Sequence, residues 1–303
     1  MTRKSQGAIE DRVVVVTGAS SGLGRAMALH LDSLGYRVYG GVRNAAAGDE
    51  LRREATPRLR TVLVDVTDEE SVHAAAAQIA GERPADSGVF AIVNNAGVCV
   101  ASPLECVKMD RLRHQLRVNV VGPILMSQAF LPLLRRTSGS RIVNVSSGMG
   151  KVAMPYLGSY AAAEFGKEAA SASLRRELAR HGVAVSIVAP GAVKTPIWEK
   201  VSEEGAADLE SLEPWAQEAY GRSFAGLLRV NAMRARASTT TPTDVARTVA
   251  RVLAASRPRA RYTVGVDSWL SSVASRVLPD GVFDAVFAGL LRGQRLIDSG
   301  RNG

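Results

Sequence analysis

Short runs of β-branched apolar residues alternate along this chain with longer stretches of helical periodicity, and this alternation restricts the fold more than any other feature. The first run, Arg12-Val-Val-Val-Val-Thr17, is apolar at almost every position, which is typical of a strand buried on both faces of a parallel sheet. Strands separated by helices predict an α/β fold with a doubly wound parallel sheet. The further predicted strands are 36–42, 61–65, 89–93, 141–145, 183–188 and 261–264.

Helical patterns fill the intervals between these strands. A good N-cap with an acidic first turn, Thr67-Asp68-Glu69-Glu70, opens one helix. Residues 199–241 contain helical pieces but no strand, so we expect 196–241 to form a substrate lid within one domain spanning 1–265. The other helices are predicted at 22–34, 104–118, 122–136, 159–181 and 242–255.

A C-terminal helical extension, 266–303, follows the domain. Its apolar residues recur at i, i+3, i+4, i+7 and i+8, which predicts an amphipathic helix. We expect this helix to pack against the domain or a second subunit, although the pattern also fits a substrate lid or a peripheral membrane contact. The apolar positions are Phe283, Val286, Phe287, Leu290 and Leu291.

The composition is that of a globular chain, with 303 residues of which 46% are hydrophobic and 22% charged. Cys99 and Cys106 fit neither a zinc site nor a disulfide framework, so a reducing, cytoplasmic location is expected. Residues 1–12 lack the apolar segment of a secretory signal, and the absence of an uncharged apolar run of about 18 residues argues against a spanning helix. The net charge of +9 comes from scattered arginines without interleaved aromatics, so nucleic acid is not an expected partner.

A glycine-rich segment, Thr17-Gly-Ala-Ser-Ser-Gly-Leu-Gly24, lies between the first strand and the first helix. Its glycines permit a tight turn and a close approach to a pyrophosphate, and the helix N-terminus behind them supplies free N–H groups. The same residues match the Gly-x-Ser-x-Gly elbow of α/β-hydrolases, but only 19 residues precede Ser20 and the last histidine is His181, so the triad lacks its late histidine. The segment therefore predicts cofactor contacts from Gly18, Ser20, Ser21, Gly22, Leu23 and Gly24.

Polar segments follow the later strands in a fixed order. Asn119 stands in a Val118-Asn-Val-Val-Gly122 segment, and Tyr160 comes thirteen residues after Ser147. With the glycine segment, these motifs resemble the short-chain dehydrogenase/reductase family in its compact, single-domain, Rossmann-type form over roughly 10–265, and most of all its steroid and retinol dehydrogenases. The other segments are Asp65-Val66, Asn94-Asn-Ala-Gly97, Ser146-Ser147 and Pro190-Gly-Ala-Val-Lys-Thr195.

This resemblance implies roles for individual residues. Ser147 would orient the substrate oxygen, and Tyr160 would exchange a proton with it. Asn119 would hold the helical region 104–118 and a proton-relay water. The simpler alternatives are that Asn119 is a buried helix kink and that Asp65 is a helix cap. Asp65 and Asn95 would contact the adenosine side of the cofactor, and Thr195 the nicotinamide carboxamide. The implied cofactor-binding set is Asp65, Val66, Asn95, Ala96, Gly97, Tyr160, Pro190, Gly191, Val193 and Thr195.

The end of the second strand bears on the choice of cofactor. It reads Val38-Tyr-Gly-Gly-Val-Arg43-Asn44, without the acidic residue that binds the adenosine ribose of NAD. Because a guanidinium suits a 2′-phosphate, Arg43 favours NADP(H) over NAD(H).

Glu164 departs from the pattern that the resemblance implies, which is Tyr-x3-Lys. The family lysine binds the nicotinamide ribose and lowers the tyrosine pKa, whereas a carboxylate one helical turn from Tyr160 raises it. Lys167 is three residues from Glu164, and a surface ion pair between them is the expectation.

Three functions therefore stay open. The first is an NADP-dependent oxidoreductase that interconverts a lipophilic alcohol and ketone. The second is non-redox chemistry, such as dehydration, isomerisation or cyclisation, with Tyr160 and Glu164 as acid and base. The third is a non-catalytic relative. The resemblance also implies a homodimer or homotetramer paired through the helices at 104–136 and 159–181.

Overall fold

Seven parallel strands form one sheet in the computed structural model, which describes residues 11–195 and 197–299. The spatial order is β3-β2-β1-β4-β5-β6-β7, so the chain winds outward from β1 in one direction and from β4 in the other. This confirms the predicted doubly wound α/β fold in a single domain. The strands are β1 (Val13–Val16), β2 (Arg37–Val42), β3 (Leu59–Leu63), β4 (Ala91–Asn94), β5 (Arg141–Val145), β6 (Ala184–Pro190) and β7 (Arg261–Val264).

Eleven α-helices accompany the sheet in the described ranges. A π-helical turn, Arg117–Val121, joins α4 to α5, and short 3₁₀ turns lie at Gly148–Gly150 and Ala179–His181. The α-helices are α1 (Gly22–Ser33), α2 (Ala45–Arg53), α3 (Glu69–Gly81), α4 (Met109–Leu116), α5 (Gly122–Leu134), α6 (Gly158–Leu178), α7 (Ile197–Glu210), α8 (Pro214–Ala237), α9 (Pro242–Ala254), α10 (Val266–Val277) and α11 (Asp280–Ser299).

Hydrophobic cores cover both faces of the sheet, because alternate residues of a strand point in opposite directions. Val14 and Val16 of β1 belong to the core that includes residues of α1 and α9. Val13 and Val15 belong to the opposite core, which includes residues of α3 and α5. Burial of all four valines explains the unbroken apolar run that predicted this strand.

The main differences from the sequence prediction lie outside the central strands. Helix α2 was not predicted, since it is short and buries only Leu51 and Gly48; Asn44 caps it by accepting a hydrogen bond from Ala47 N at 2.8 Å. The lid forms two full helices, α7 and α8, and the tail forms two helices where one was expected. Strand β3 begins and ends two residues earlier than predicted.

Residues 109–134 form one long helix that is apolar enough, by length and composition alone, to cross a membrane. This is weak evidence, because core helices meet the same criterion, and 44% of the apolar window is buried. Met126, Phe130 and Leu134 of this helix pack in the core beneath the sheet.

Only part of the apolar surface of the C-terminal extension, helices α10 and α11, is buried. Ser268 of α10 is buried and donates a hydrogen bond to Ala189 O at 2.7 Å, which fixes α10 against the end of β6. In α11 Phe283 and Phe287 are half-buried, whereas Val286 and Leu290 are exposed.

Candidate active site

The candidate site lies at the carboxyl edge of the sheet between β1 and β4, where the strand order reverses. Open α/β sheets bind ligands in the crevice formed at such a switch point. The turn after β1 and the loop after β4 flank this crevice, and they are joined because Asn95 Nδ2 donates to Thr17 O at 3.0 Å.

The turn after β1 is shaped to receive an anionic group. Gly18 and Gly22 have φ angles of +66° and +54°, which are readily adopted only by glycine. Ser21 is the N-cap of α1, its side chain caps no helix N–H, and no acidic residue lies in the first helical turn. The N–H groups and the positive end of the helix dipole are therefore available, which fits a dinucleotide pyrophosphate.

Gly24 allows the turn to pack closely against the loop after β4. A Cβ atom at this position would lie 2.1 Å from Gly18 O and 2.5 Å from Asn95 Nδ2. We expect Gly24→Ala to displace the turn, to destabilise the fold by about 1–3 kcal/mol and to abolish nucleotide binding. Thermal unfolding and titration with NADPH measure both effects.

Gly81→Ala is the matched control, since an added Cβ at the end of α3 meets no atom within 4 Å. It should leave nucleotide binding unchanged. Unaltered NADPH affinity in Gly24→Ala would contradict the assignment of this turn to the cofactor.

Thr17 is a site residue that the sequence prediction missed. Its side chain is buried, and its Oγ1 accepts hydrogen bonds from Asn95 N at 3.0 Å and Ala96 N at 3.1 Å. Thr17 thus fixes the loop after β4 against the glycine turn. Its position directly before Gly18 was the available signal.

Asp65 lies at the same edge, two residues beyond β3. Its carboxylate accepts hydrogen bonds from Thr67 N and Thr67 Oγ1, both at 2.8 Å. These bonds hold the pKa of Asp65 below its ordinary value, and the Arg43 charge acts in the same direction. Asp68, not Asp65, is the N-cap of α3. Arg43 itself is exposed at the end of β2.

Ser147 and Tyr160 are brought together at the other side of the crevice. Ser147 follows β5 and begins the 3₁₀ turn, where its Oγ accepts a hydrogen bond from Met149 N at 3.2 Å. Burial, Glu164 and Cys99 raise the pKa of Tyr160 well above its ordinary value, while a hydrogen bond with Ser147 opposes them. Tyr160 therefore remains protonated, as a proton donor requires.

Glu164 and Lys167 form a buried ion pair, so the prediction of a surface pair was wrong. The exposed fractions of their side chains are 1% and 4%. Lys167 Nζ lies 2.9 Å from Glu164 Oε1, and it also donates to Val145 O at 3.0 Å. The prediction failed because helical spacing gives the separation of two residues but does not say which face the sheet covers.

The helix kink that the sequence offered as an alternative for Asn119 is present. Asn119 lies in the π-helical turn between α4 and α5, so it marks a helix distortion. Its side chain exchanges hydrogen bonds with the backbone of Val98 at 2.9 and 3.0 Å, and its Nδ2 donates to Glu164 Oε1 at 3.0 Å. Asn119 thus connects the loop after β4 to the carboxylate.

Comparison with known proteins agrees with this geometry, since the family model described as short chain dehydrogenase matches residues 12–206. This chain belongs to the short-chain dehydrogenase family. It is 38% identical to the 3-amino-tetrahydro-pyrrolizinone reductase of Xenorhabdus hominickii, with 92% of each chain covered. It is also 38% identical to retinol dehydrogenase 5 of Mus musculus, over 93% of this chain and 89% of the relative.

A solved structure shares the fold. The short chain dehydrogenase of Burkholderia cenocepacia J2315, in complex with NADP, matches with a TM-score of 0.70 at 25% identity, covering 93% of this chain and 98% of that one. The chain is accordingly an enzyme of a nicotinamide-dependent oxidoreductase family.

In this short-chain dehydrogenase the loop after β6 is held from two sides. Asp267 Oδ2 of α10 accepts a hydrogen bond from Ala192 N at 2.6 Å, and Ser238 Oγ donates to Ala192 O at 2.6 Å. A Cβ on Gly191 would lie 1.9 Å from Asp267 Oδ1. The loop that carries Gly191, Val193 and Thr195 is therefore fixed by two residues that the sequence prediction did not select.

Tyr160 packs against an apolar cluster formed by the loops after β4 and β5 and by the lid helices α7 and α8. Tyr156 joins the lid to the loop before α6, because its hydroxyl lies 2.6 Å from Ser223 Oγ. Arg111 of α4 pairs with Asp208 and with Glu204, 2.9 Å away, on α7. The apolar cluster includes Cys99, Met149, Met154, Leu157, Trp198, Val201, Phe224, Leu227 and Leu228.

Proposed function

We propose that this protein is an NADP(H)-dependent oxidoreductase acting on the carbonyl or alcohol group of a lipophilic small molecule. The observation that carries the proposal is the pairing of Ser147 with Tyr160 beside an apolar cluster, at the same carboxyl edge of the sheet as the glycine turn. The exposed Arg43 at the end of β2, where NAD-binding chains carry an acid, supports NADP(H).

Different residues of the site would bind the cofactor, orient the substrate and donate the proton. When bound, the reduced nicotinamide supplies a hydride to the substrate carbon. Gly18, Gly22 and the N-terminus of α1 would hold its pyrophosphate, and Thr195 its carboxamide. Ser147 orients the substrate oxygen, and Tyr160 donates a proton to that oxygen in the direction of reduction.

The apolar side chains around Tyr160 favour a lipophilic substrate, because burying apolar surface on binding is favourable. The names of the relatives agree with this class: one is a retinol dehydrogenase and another reduces an amino-pyrrolizinone. Purified protein mixed with NADPH and a panel of hydrophobic ketones and cyclic imines tests the proposal. Saturable loss of NADPH absorbance is the expected result, and the absence of turnover with every compound would contradict it.

The non-redox alternative loses support from the contacts of Glu164. A general base needs a free carboxylate within reach of the substrate proton. Glu164 is 1% exposed and already accepts hydrogen bonds from Lys167 and Asn119. Its lone pairs are therefore directed at the protein.

Exchange of Arg43 for glutamate is expected to reverse the cofactor preference. The guanidinium would lose its contact with the 2′-phosphate, and a hydrogen bond to a charged group contributes about 1.5–3 kcal/mol. We expect NADPH affinity to fall by about 10–100-fold, with NADH affinity kept or improved. Equilibrium titration with both nucleotides measures the change.

Arg53→Glu makes the same charge change at an exposed position at the end of α2 and serves as the control. It should alter NADPH affinity by less than about threefold, because exposed charges are screened by salt. Equal losses in both variants would show that Arg43 has no specific contact with the cofactor.

A further inference from the structure

The contacts of the buried Glu164–Lys167 pair form a closed network. Glu164 Oε1 accepts from Lys167 Nζ at 2.9 Å and from Asn119 Nδ2 at 3.0 Å, and Oε2 lies 3.2 Å from Lys167 Nζ. Lys167 Nζ donates its remaining bond to Val145 O at 3.0 Å. An ion pair so completely hydrogen-bonded is the form in which two charges are tolerated in a protein interior.

The Glu164–Lys167 pair has one charged end closer to the reacting groups than the other. Glu164 lies four residues after Tyr160, on the same face of α6, and its charge contributes to the raised pKa of Tyr160. Lys167 is a further turn along the helix and faces the last carbonyl of β5. The carboxylate is therefore the end of the pair nearest the reacting groups, and the ammonium is the distant end.

We propose that Glu164 and Lys167 act as one unit that specialises the site for reduction of the substrate over oxidation of an alcohol, with Lys167 as the positioning residue that holds the carboxylate beside Tyr160. This inference rests on the proposed function and adds the direction of the reaction. In the family pattern a single lysine occupies the position of Glu164, so the two residues together replace one cation with an oriented ion pair.

The first reason is that reduction and oxidation need opposite protonation states of Tyr160. In reduction the carbonyl carbon accepts a hydride, Tyr160 gives its proton to the oxygen, and water returns a proton to Tyr160. Alcohol oxidation reverses these steps and needs tyrosinate to accept the proton. A nearby carboxylate disfavours tyrosinate, so it leaves the proton donor intact and suppresses the base. The charged or titratable side chains near this hydroxyl are Glu164 and Cys99, with Lys167 behind Glu164 and Glu204 near Cys99.

The second reason is the cofactor charge. The oxidised nicotinamide ring carries a positive charge that the reduced ring lacks, and an anion nearby stabilises the cation that forms as the hydride leaves. The resemblance implies that a residue at the position of Glu164 lies beside the nicotinamide ribose. The wild-type protein should therefore bind NADP⁺ more tightly, relative to NADPH, than a variant without the carboxylate.

Two double variants test the pair. Glu164→Gln/Lys167→Met removes both charges, and Glu164→Lys/Lys167→Met installs the cation of the family pattern. The readouts are the dissociation constants of NADP⁺ and NADPH, and the pH profile of alcohol oxidation. We expect the preference for NADP⁺ to fall by about threefold in the first variant and about tenfold in the second, where a tenfold change equals about 1.4 kcal/mol. The pH at which alcohol oxidation rises, which reports the deprotonation of Tyr160, should move to lower values in the same order.

Arg113→Met, which breaks an exposed pair of the same i,i+3 spacing with Asp110, should change neither readout. The inference would be overturned, with the proposed function left intact, by two results in Glu164→Gln/Lys167→Met. These are a ratio of NADP⁺ to NADPH dissociation constants within about twofold of wild type and an unchanged pH profile of alcohol oxidation. Failure of the wild-type protein to bind either nucleotide would overturn both. If the lysine variant does not fold, the uncharged variant decides the question alone.

Discussion

Replacing Tyr160 with phenylalanine is expected to lower kcat for carbonyl reduction by about 10²–10⁴-fold, the range that a positioned general acid contributes. The variant removes one hydroxyl, and the ring keeps its place against the apolar cluster. NADPH affinity and thermal stability should therefore stay close to those of the wild type. Steady-state rates, nucleotide titration and an unfolding curve separate the three effects.

Tyr36→Phe is the control for that experiment. Tyr36 is buried, and it stacks on Phe90 at the amino-terminal side of β2, distant from the crevice. Loss of the Tyr36 hydroxyl should leave kcat within about twofold of wild type. A Tyr160→Phe variant that retains wild-type kcat would show that the proton comes from another group and that the assigned site is wrong.

Lys167→Met should produce the largest loss of stability. The substitution leaves the Glu164 carboxylate buried with Asn119 as its remaining donor, and breaking a buried ion pair in this way costs about 3–5 kcal/mol. The loss should shrink in acid, because a buried carboxyl that takes up a proton no longer carries a charge. Denaturant unfolding at neutral and acidic pH measures both the size and the direction of the effect.

Two comparisons isolate the buried charge. Arg113→Met breaks an exposed pair and should cost less than about 1 kcal/mol. Glu164→Leu/Lys167→Met removes both charges together and should recover most of the stability, since apolar residues of similar volume replace buried ion pairs without large loss. A single Lys167→Met variant as stable as the wild type would mean that the ammonium does not hold the carboxylate.

The strands were predicted well because their signal is local. Burial on both faces makes β1 an unbroken run of valine, and β5 and β7 begin and end at the predicted residues. Helix α2 escaped detection, since only one large apolar side chain, Leu51, faces the core. The lid helices were predicted only as fragments because the packing of α7 on α8, seen in the approach of Leu228 to Gly205, joins segments distant in sequence.

Within the site, the motifs identified the residues but not the contacts between them. Sequence spacing placed Glu164 on the face of Tyr160, yet it gave no sign that the sheet covers Lys167. The anchors Thr17 and Asp267 were missed because each acts on a backbone group far along the chain, 78 and 75 residues away respectively. Such contacts follow from the topology of the sheet and carry no local pattern.

Oxidation of NADPH in the presence of hydrophobic carbonyl compounds tests the central claim most directly. A single-turnover measurement, with enzyme in excess of NADPH, detects even a slow reaction. We predict substrate-dependent loss of NADPH absorbance that saturates with substrate and is abolished in Tyr160→Phe. Saturable NADPH binding with no hydride transfer to any member of the panel would contradict the account.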